Sequence, residues 1–596
     1  MRIISKFALS LFLAATLFLL NGCVNEGLEV TETIITPNSQ ALITTSVHGK
    51  ILNEAGDPIS GAFVRLESVA DDMSVRTDNN GNFEFLRYEN RGESAYIIVE
   101  APGYFDGFRR VSLVPNNFNY TVVKLYDKEI VGSFGSAEGG SVATSEGMQV
   151  TMPANSVVDA NGNDYAGEVR VAMAWVDPTA PDLPARMIGD LSGVTLDGTT
   201  AALSTYGMAF VELLDGSGNE LQVRDGQQAE LSFPLPADRT PAPTQTVPLW
   251  SYDEVDGTWI EESFAVLENG NYVGNVSHFS AWNVDYKGEV IAVNGCVVVA
   301  NQARQTNLRA QVFICSDLIG TRGGFICPDG KFRFYNFPKD EEFTIKIKDE
   351  CGNTVFEEMY GPYSVDTDLG VIDISLNNPN YTSIVGTAVD CNDQPILDGY
   401  VRFESNTGDV FYTSIDTGNF EIGLVDCGDL QSVVMTVFDV ENLKMSTEQS
   451  ITIAPGAIDV GEVVVCDELD EFLILEIDGV LNLTFLEPYF RGDRLDFGGV
   501  NETDSLMYSQ AYFNGLNPDP LVPGTYAMDT IDVYTEGPVS SISAYNLIPY
   551  DVTFTEYSTN VDDIIRGSFT ADVEVFENQS PLGILELNGT FKIRRE

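Results

Sequence analysis

The sequence repeats a short polar segment in which oxygen-bearing side chains surround a glycine. Its first occurrence, TDNNGNFEF, covers residues 77–85, and related segments are CPDGKFRF at 327–334 and DTGNFEI at 416–422. Crowded Asp and Asn side chains are typical of calcium loops, which need several oxygen ligands in each copy. Asp or Asn before Gly is also typical of tight hairpin turns, because glycine readily adopts positive φ. The segment at 416–422 keeps few of these oxygens, so we predict turns between strands.

A second polar segment, DANGNDYAGE, places Asp159, Asn161 and Asn163 at alternate positions. Its closing Glu168 falls at position ten, whereas an EF-hand loop has its closing glutamate at position twelve. An Asn-Gly hairpin turn is therefore the favoured interpretation. We assign no cofactor to the chain, and Ca²⁺ near Asp159, Asn161 and Asn163 is the alternative.

An aromatic cluster offers a different kind of site. Strand alternation places Trp250 and Tyr252 on one face, and Trp259 follows a turn at Asp256-Gly257. Flat rings match the apolar face of a sugar, so Trp250, Tyr252 and Trp259 are a possible ligand platform. The favoured alternative is a sandwich core, because large aromatic side chains are mostly buried.

Residues suited to catalysis are few. The chain has two histidines, His48 and His278, whereas a carboxypeptidase-type zinc site needs two histidines and a glutamate that converge. The sequence contains neither His-x-x-Glu nor the Gly-x-Ser-x-Gly elbow of serine hydrolases. We therefore predict that the protein is not an enzyme and assign no catalytic or metal residues. A polysaccharide-acting hydrolase with an unidentified carboxylate pair is an alternative, because a glycosidase needs only two carboxylates.

Composition bounds the fold and the partners. The 596 residues carry a formal net charge of −57, which repels nucleic acid and excludes it as a partner. Short alternating runs such as AFVRLES and EVRVAMAW are separated by Asn, Asp, Gly and Pro turns. This pattern predicts an all-β fold of tandem β-sandwich domains.

The N-terminus reads as an export signal. Arg2 and Lys6 precede an apolar run too short to span a bilayer comfortably. The sequence LNGC, ending at Cys23, resembles a bacterial lipobox, which implies a lipoprotein signal peptide at 1–22 and lipidation of Cys23. The lipid would anchor the chain to a membrane, and residues 23–45 would form a flexible tether. An ordinary secretory signal with an incidental cysteine is the alternative.

An internal repeat organises the remainder. PISGAFVRLES at 58–68 matches PILDGYVRFES at 395–405, and flanking Gly and Phe residues keep their offsets. Agreement without a gap means that one domain type occurs twice. Together with the segments at 77–85 and VEAPGYFDGF, this pattern resembles the carboxypeptidase regulatory-like domain, a transthyretin-like β-sandwich whose presence implies no peptidase activity. The resemblance defines repeat 1 (46–128), a divergent repeat 2 (288–376) and repeat 3 (377–467).

Two further blocks complete the chain. Residues 129–287 contain GGSVATSEGMQVTMPANSVVDANG and EVRVAMAWVDP, which resemble the ZU5-like β-domain of extracellular matrix and surface proteins. Residues 468–596 begin with FLILEIDGVLNLTF and end with paired strand patterns. They resemble the C-terminal β-domain of surface lipoproteins from Bacteroidota-type bacteria.

The cysteines also indicate export. Seven cysteines follow Cys23, all between positions 296 and 466, and in an oxidising compartment they are expected to form disulfides. Cys315 and Cys327 flank one hairpin-like segment and are a possible pair. The odd total leaves at least one cysteine unpaired, and the sequence leaves the connectivity open.

The sequence as a whole predicts a non-catalytic, lipid-anchored protein of the cell envelope. We place it at the outer membrane, either periplasmic or surface-exposed. Its tandem β-sandwiches would present end loops for binding or adhesion, and the ligand would be a glycan or another envelope protein. A purely structural stalk is the remaining alternative.

Overall fold

The computed structural model describes residues 42–594, with gaps at 68–72, 93, 181, 236–243, 300–310, 317–319, 326–330, 350, 375–380, 443, 469–471, 478–480, 486–488, 492–495, 502–507, 516–523, 537–540, 547–549, 557–563 and 578–579. Regular structure in these residues is almost entirely β-strand, which confirms the all-β prediction. Within the described part of the chain, no helix is long and apolar enough to cross a membrane. The predicted signal peptide and Cys23 lie outside the described residues.

Repeat 1 folds into two sheets around one apolar core. A three-stranded sheet has the order β4-β1-β7, and a four-stranded sheet has the order β3-β2-β5-β6. Val64 and Leu66 alternate with exposed or half-buried neighbours and point into the core with Val47 and Ile97. The strands are β1 (Leu42–Leu52), β2 (Phe63–Glu67), β3 (Met73–Arg76), β4 (Asn82–Arg91), β5 (Ser94–Glu100), β6 (Gly107–Ser112) and β7 (Phe118–Lys124).

Residues 129–287 form a thirteen-stranded sheet system and one short helix. Its core includes Val150, Leu213, Phe233 and Trp282. The elements are β8 (Ile130–Gly135), β9 (Gly140–Ala143), β10 (Gln149–Met152), β11 (Val157–Asp159), β12 (Glu168–Val176), α1 (Leu183–Arg186), β13 (Ser192–Val194), β14 (Thr200–Leu214), β15 (Glu220–Val223), β16 (Ala229–Pro234), β17 (Thr246–Asp253), β18 (Thr258–Glu268), β19 (Asn271–Val276) and β20 (Ala281–Gly288).

Repeats 2 and 3 reproduce the three-stranded sheet of repeat 1, whereas the second sheet has four strands in repeat 2 and six in repeat 3. Their three-stranded sheets run β24-β21-β27 and β31-β28-β35, so the opening strand is again central. The strands of repeat 2 are β21 (Val290–Val299), β22 (Gln311–Ser316), β23 (Gly320–Phe325), β24 (Lys331–Pro338), β25 (Phe343–Lys348), β26 (Thr354–Tyr360) and β27 (Thr367–Ile374). Those of repeat 3 are β28 (Tyr381–Val389), β29 (Gly399–Ser405), β30 (Val410–Ser414), β31 (Asn419–Val425), β32 (Ser432–Asp439), β33 (Lys444–Met445), β34 (Gln449–Thr452), β35 (Gly456–Val464) and β36 (Asp467–Glu468).

A glycine facing a phenylalanine explains the repeat signature physically. Gly49 on β1 is paired with Phe83 on β4. A Cβ at Gly49 would lie 2.1 Å from the Thr121 carbonyl oxygen and 2.8 Å from the Phe83 ring. The glycine thus makes room for the ring in the core. The equivalent pairs are Gly295 with Phe332 and Gly386 with Phe420, whose rings would lie 2.6 Å and 2.5 Å from an added Cβ.

The C-terminal strands form a ten-stranded sheet. They are β37 (Phe472–Ile477), β38 (Leu481–Phe485), β39 (Tyr489–Arg491), β40 (Asp496–Asn501), β41 (Tyr508–Gly515), β42 (Gly524–Glu536), β43 (Ser541–Asn546), β44 (Tyr550–Glu556), β45 (Ile564–Glu577) and β46 (Ser580–Arg594). The described chain divides into two compact units. One holds Glu129–Ser383 with Gly423–Cys427, and the other holds the described part of Pro37–Lys128 with Ile384–Ile422 and Gly428–Glu596.

Candidate functional site

The polar segment at 77–85 is a side-chain-stabilised turn. The Asp78 Oδ1 atom accepts hydrogen bonds from the backbone N–H groups of Asn80 and Asn82, each at 2.8 Å. The Asn82 side chain donates to Asp78 Oδ2 at 2.8 Å, and Gly81 has a φ of 75°. The carboxylate therefore satisfies the turn's own amides. The third segment is a tighter turn, with Thr417 and Gly418 both at positive φ.

The segment proposed for Ca²⁺ adopts the same turn. Asp159 Oδ1 accepts from the backbone N–H groups of Asn161 and Asn163, each at 2.9 Å. The Asn163 side chain, followed by its backbone N–H, holds the pKa of Asp159 below its usual value. Among the described residues, no group of three or more Asp, Glu, His or Cys side chains could hold a metal ion. The hairpin interpretation accounts for Asp159, Asn161 and Asn163 without a cation.

A five-residue pattern, Asp-x-x-Gly-Asn, underlies the turns at 78–82 and 159–163, and its further copies were not recognised in the sequence. Asp215 with Asn219 and Asp349 with Asn353 form the same carboxylate-to-amide bonds. The signal that could have found them is the fixed four-residue distance between Asp and Asn around a glycine. The pattern is a structural device of the sandwiches.

The structure buries Trp250, Tyr252 and Trp259, the possible ligand platform, as the favoured core interpretation expects. Trp250 and Trp259 have no exposed surface, and Tyr252 is 3% exposed. The Tyr252 and Trp259 rings meet edge to face, with centroids 5.0 Å apart, inside the domain. A Cβ on Gly193 would lie 2.8 Å from the Trp250 ring, so the backbone of β13 covers that ring closely. These rings belong to a sandwich core, because buried rings cannot stack on a sugar.

Ser251, Glu262 and His278 form a partly buried polar cluster in the same domain. The Ser251 hydroxyl donates to Glu262 Oε1, and His278 Nε2 lies 2.9 Å from that oxygen. The hydrogen bond with His278 lowers the pKa of Glu262, and the same bond raises the pKa of His278 against the effect of burial. In a serine hydrolase the serine instead bonds to the histidine. The cluster therefore has the wrong connectivity for a serine nucleophile.

Two disulfides lie in the part of the chain that the structure describes. Cys351 is bonded to Cys427 within the first unit, and Cys391 is bonded to Cys466 within the second. Cys296 is disulfide-bonded as well. The predicted pair Cys315–Cys327 falls outside the side chains that the structure describes. Disulfides are typical of oxidising compartments, so the chain is an extracellular or cell-envelope protein.

A cluster of aromatic and charged side chains joins repeats 1 and 3 inside the second unit, and we call it the inter-repeat junction. The Phe118 ring of repeat 1 stacks on the Tyr412 ring of repeat 3, with centroids 5.0 Å apart and planes at 11°. His48 lies 5.0 Å from the Tyr412 ring, and Phe118 lies 5.7 Å from Tyr400. All four side chains are buried. The two repeats therefore share an aromatic core.

Complementary charges surround that aromatic core. Lys50 of repeat 1 lies 2.6 Å from Asp409 of repeat 3. Arg87 makes two contacts with Asp398, at 2.7 Å and 2.8 Å. Two-pronged arginine–carboxylate contacts fix orientation as well as distance. The pairs thus define how the two repeats face each other.

A third carboxylate enters the junction from repeat 1. Glu84 accepts a hydrogen bond from the Tyr412 hydroxyl, and Arg402 lies 3.6 Å from it. Burial, together with the Glu84 charge, raises the pKa of Tyr412 well above its usual value. Nearby, the Asn82 side chain donates to the Gly408 carbonyl at 2.8 Å. Tyr412 therefore stays protonated and acts as a hydrogen-bond donor to Glu84.

Sequence reasoning did not identify the junction. His48 and Lys50 lie on the face of β1 opposite to the core residues Val47 and Ile51. A histidine on the outward face of a sandwich strand, with Tyr120 on the paired strand β7, is an available signal. It indicates a covered face but does not identify what covers it.

The curated relatives match about a fifth of the chain. No protein-family model matches the chain. Cartilage intermediate layer protein 2 of Homo sapiens is 32% identical over 118 residues, which is 19% of this chain and 10% of that protein. Cartilage intermediate layer protein 1 of Sus scrofa is 26% identical over 114 residues, 19% of each. The chain therefore spans between a tenth and a fifth of the length of these relatives.

The solved structures that are similar include bacterial pilins. The shaft pilin spaA from Lactobacillus rhamnosus GG is 6% identical and matches 30% of this chain and 98% of the pilin, with a TM-score of 0.16. A streptococcal ancillary pilin is 12% identical and matches 50% of this chain and 95% of the pilin, with a TM-score of 0.14. TM-scores this low do not establish a shared arrangement.

Proposed function

We propose that the chain is a non-catalytic protein of the cell envelope, in which tandem β-sandwiches form a spacer that presents binding surfaces. The observation that carries this proposal is the inter-repeat junction. Its aromatic core and three charged contacts hold one face of repeat 1 against one face of repeat 3. Faces used in this way hold modules in a fixed arrangement, as a spacer requires.

Covalent links and the character of the relatives support the same role. Cys351–Cys427 ties the turn after β25 to the end of β31. Disulfides that close long loops restrict the unfolded chain and favour persistence outside the cell. The names of the curated relatives describe a constituent of a cartilage layer, which is compatible with a structural role.

The proposal includes a lipid anchor and a ligand class. Lipidation of Cys23 would hold the chain at the outer membrane. Binding or adhesion would then involve a glycan or another envelope protein at the surfaces of the sandwiches. The strongly acidic composition, a net charge of −57, suits neutral or basic partners.

The experiment for the non-catalytic role uses the purified chain and a panel of polysaccharides. Retained protein and newly formed reducing ends are measured in the same incubations between pH 5 and 8. We expect no reducing ends above those of a heat-denatured control. Release that requires folded protein would contradict the proposal and favour the hydrolase.

The anchor is tested by membrane fractionation of cells that express the chain. Cys23→Ala should move the protein from the membrane fraction to the soluble fraction. Glu26→Gln is the control, because it leaves the lipobox intact and should stay with the membrane. Equal membrane association of both variants would contradict the anchor, and protease treatment of intact cells would show which face of the envelope holds the protein.

A further inference from the structure

The outer face of β18 exposes apolar side chains at the surface of residues 129–287. Phe264 is 51% exposed and Val266 is 38% exposed. Ala265 between them is fully buried, so the two side chains share the outward face. Val273 of β19 lies opposite Val266 in the register. We call Phe264, Val266 and Val273 the apolar strip.

Carboxylates border this strip on the same face. Glu262 and Glu268 occupy outward positions of β18, on either side of Phe264 and Val266. Glu230 of β16 lies opposite Asn275, two residues along β19 from Val273. All three glutamates are exposed. We call Glu230, Glu262 and Glu268 the acidic rim, of which Glu262 is paired with His278.

The apolar strip and the acidic rim together indicate which kind of partner could bind this face. A second copy would bring an identical acidic rim against the first, and like charges at an interface cost binding energy. The branched side chains of Val266 and Val273 do not offer the extended flat surface on which a sugar ring stacks. A basic segment with apolar side chains satisfies both parts of the face, because its cations meet the rim and its apolar groups cover the strip.

We propose that the apolar strip and acidic rim form a docking surface for a basic, apolar segment of another protein. This surface lies outside the inter-repeat junction. The inference goes beyond the spacer role, so its failure would leave that role intact. An exposed aromatic side chain at the centre of such a face is the residue type that most often dominates binding.

The first test measures binding of a synthetic amphipathic peptide of Leu and Lys to the purified chain by calorimetry. Phe264→Ser should weaken binding by about tenfold or more, as expected for truncation of a central aromatic contact. Val371→Ser is the matched control, because Val371 is also 51% exposed but lies in repeat 2. Equal losses in the two variants would overturn the proposal.

The second test addresses charge. Glu230→Gln with Glu268→Gln should weaken binding of the same peptide and flatten its salt dependence. Glu357→Gln with Glu358→Gln removes the same charge from β26 and should leave binding unchanged. A peptide with Glu in place of Lys should not bind. Equal effects of the two double variants, or tight binding of the Glu peptide, would contradict the charge argument.

Binding of a polysaccharide or of a second copy of the chain would give different experimental results. Phe264-dependent retention on a neutral polysaccharide, or Phe264-dependent dimers in analytical ultracentrifugation, would overturn the choice of a basic protein segment. If Phe264→Ser does not fold, carbodiimide labelling of the unaltered chain replaces it. The Lys-containing peptide should then protect Glu230 and Glu268 but not Glu358, and uniform labelling would contradict docking at this face.

Discussion

Tyr412 donates its hydroxyl to the carboxylate of Glu84, which lies 328 positions earlier in the chain. The contact joins β30 of repeat 3 to β4 of repeat 1, and Arg402 approaches the same carboxylate. Tyr412 is 2% exposed, so loss of its hydroxyl would remove the donor that reaches Glu84 from the buried side of the junction and leave Arg402 as its partner. The contact therefore couples the stability of repeats 1 and 3, although other domains separate them in the sequence.

Replacement of Tyr412 by Phe should lower the free energy of unfolding of repeats 1 and 3 by about 1.5–3 kcal/mol. The ring and its stacking on Phe118 remain, so the loss reports the hydrogen bond to charged Glu84. Chemical denaturation measures it. Tyr363→Phe, at a half-buried tyrosine of repeat 2, is the control and should change stability by less than about 0.5 kcal/mol. Equal effects of the two substitutions would mean that the junction bond contributes little.

Gly49→Ala should destabilise repeat 1 by about 1–3 kcal/mol, because the added methyl group meets the Thr121 carbonyl and the Phe83 ring. Gly216→Ala is the control. A Cβ at Gly216 meets nothing within 4 Å, and its φ is not in the left-handed region, so this variant should be neutral or slightly stabilised. Thermal unfolding of both variants measures the difference. An unchanged melting temperature for Gly49→Ala would refute the role of the glycine in accommodating the ring.

Local patterns were sufficient to predict the sandwiches and the turns. The spacing of Gly49 to Phe83 and of Gly386 to Phe420 is the same because each glycine and phenylalanine pair meets across neighbouring strands. Strand alternation is a property of the backbone, and Asp before Gly specifies its turn through bonds within five residues. These features can be predicted because their causes are local.

Contacts between distant segments were not predictable in the same way. Alternation places Trp250 on a face but does not say whether that face meets solvent, and a bulge between Leu249 and Trp250 also shifts the register. Similarly, nothing in the segment around Cys351 identifies Cys427 as its partner. Burial on a sheet face and disulfide connectivity depend on which modules pack together, and the order of residues along one strand does not contain that information.

Trp250→Ala should destabilise the domain of residues 129–287 by about 3–5 kcal/mol, because the substitution leaves a large cavity in its core. Val255→Ala is the control, because Val255 is 79% exposed on the adjacent turn and should change stability by less than about 0.5 kcal/mol. Tryptophan fluorescence during denaturation measures both. A stable Trp250→Ala variant would contradict the assignment of this side chain to the core.

The pair of Glu262 and His278 should make a pH-dependent contribution to stability. The raised pKa of His278 means that its contribution is complete below its unfolded pKa of about 6.5 and is lost as pH rises through the folded value. The lowered pKa of Glu262 means that its contribution is complete above about 4.3 and is lost as pH falls through its folded value. Both contributions are therefore complete between about pH 4.3 and 6.5.

In that pH window His278→Gln should lower the free energy of unfolding by about 0.2–1 kcal/mol, a small value because solvent screens a half-exposed pair. Melting temperatures across pH measure the difference from the unaltered chain, and a deficit that grows above pH 8 would contradict the pairing.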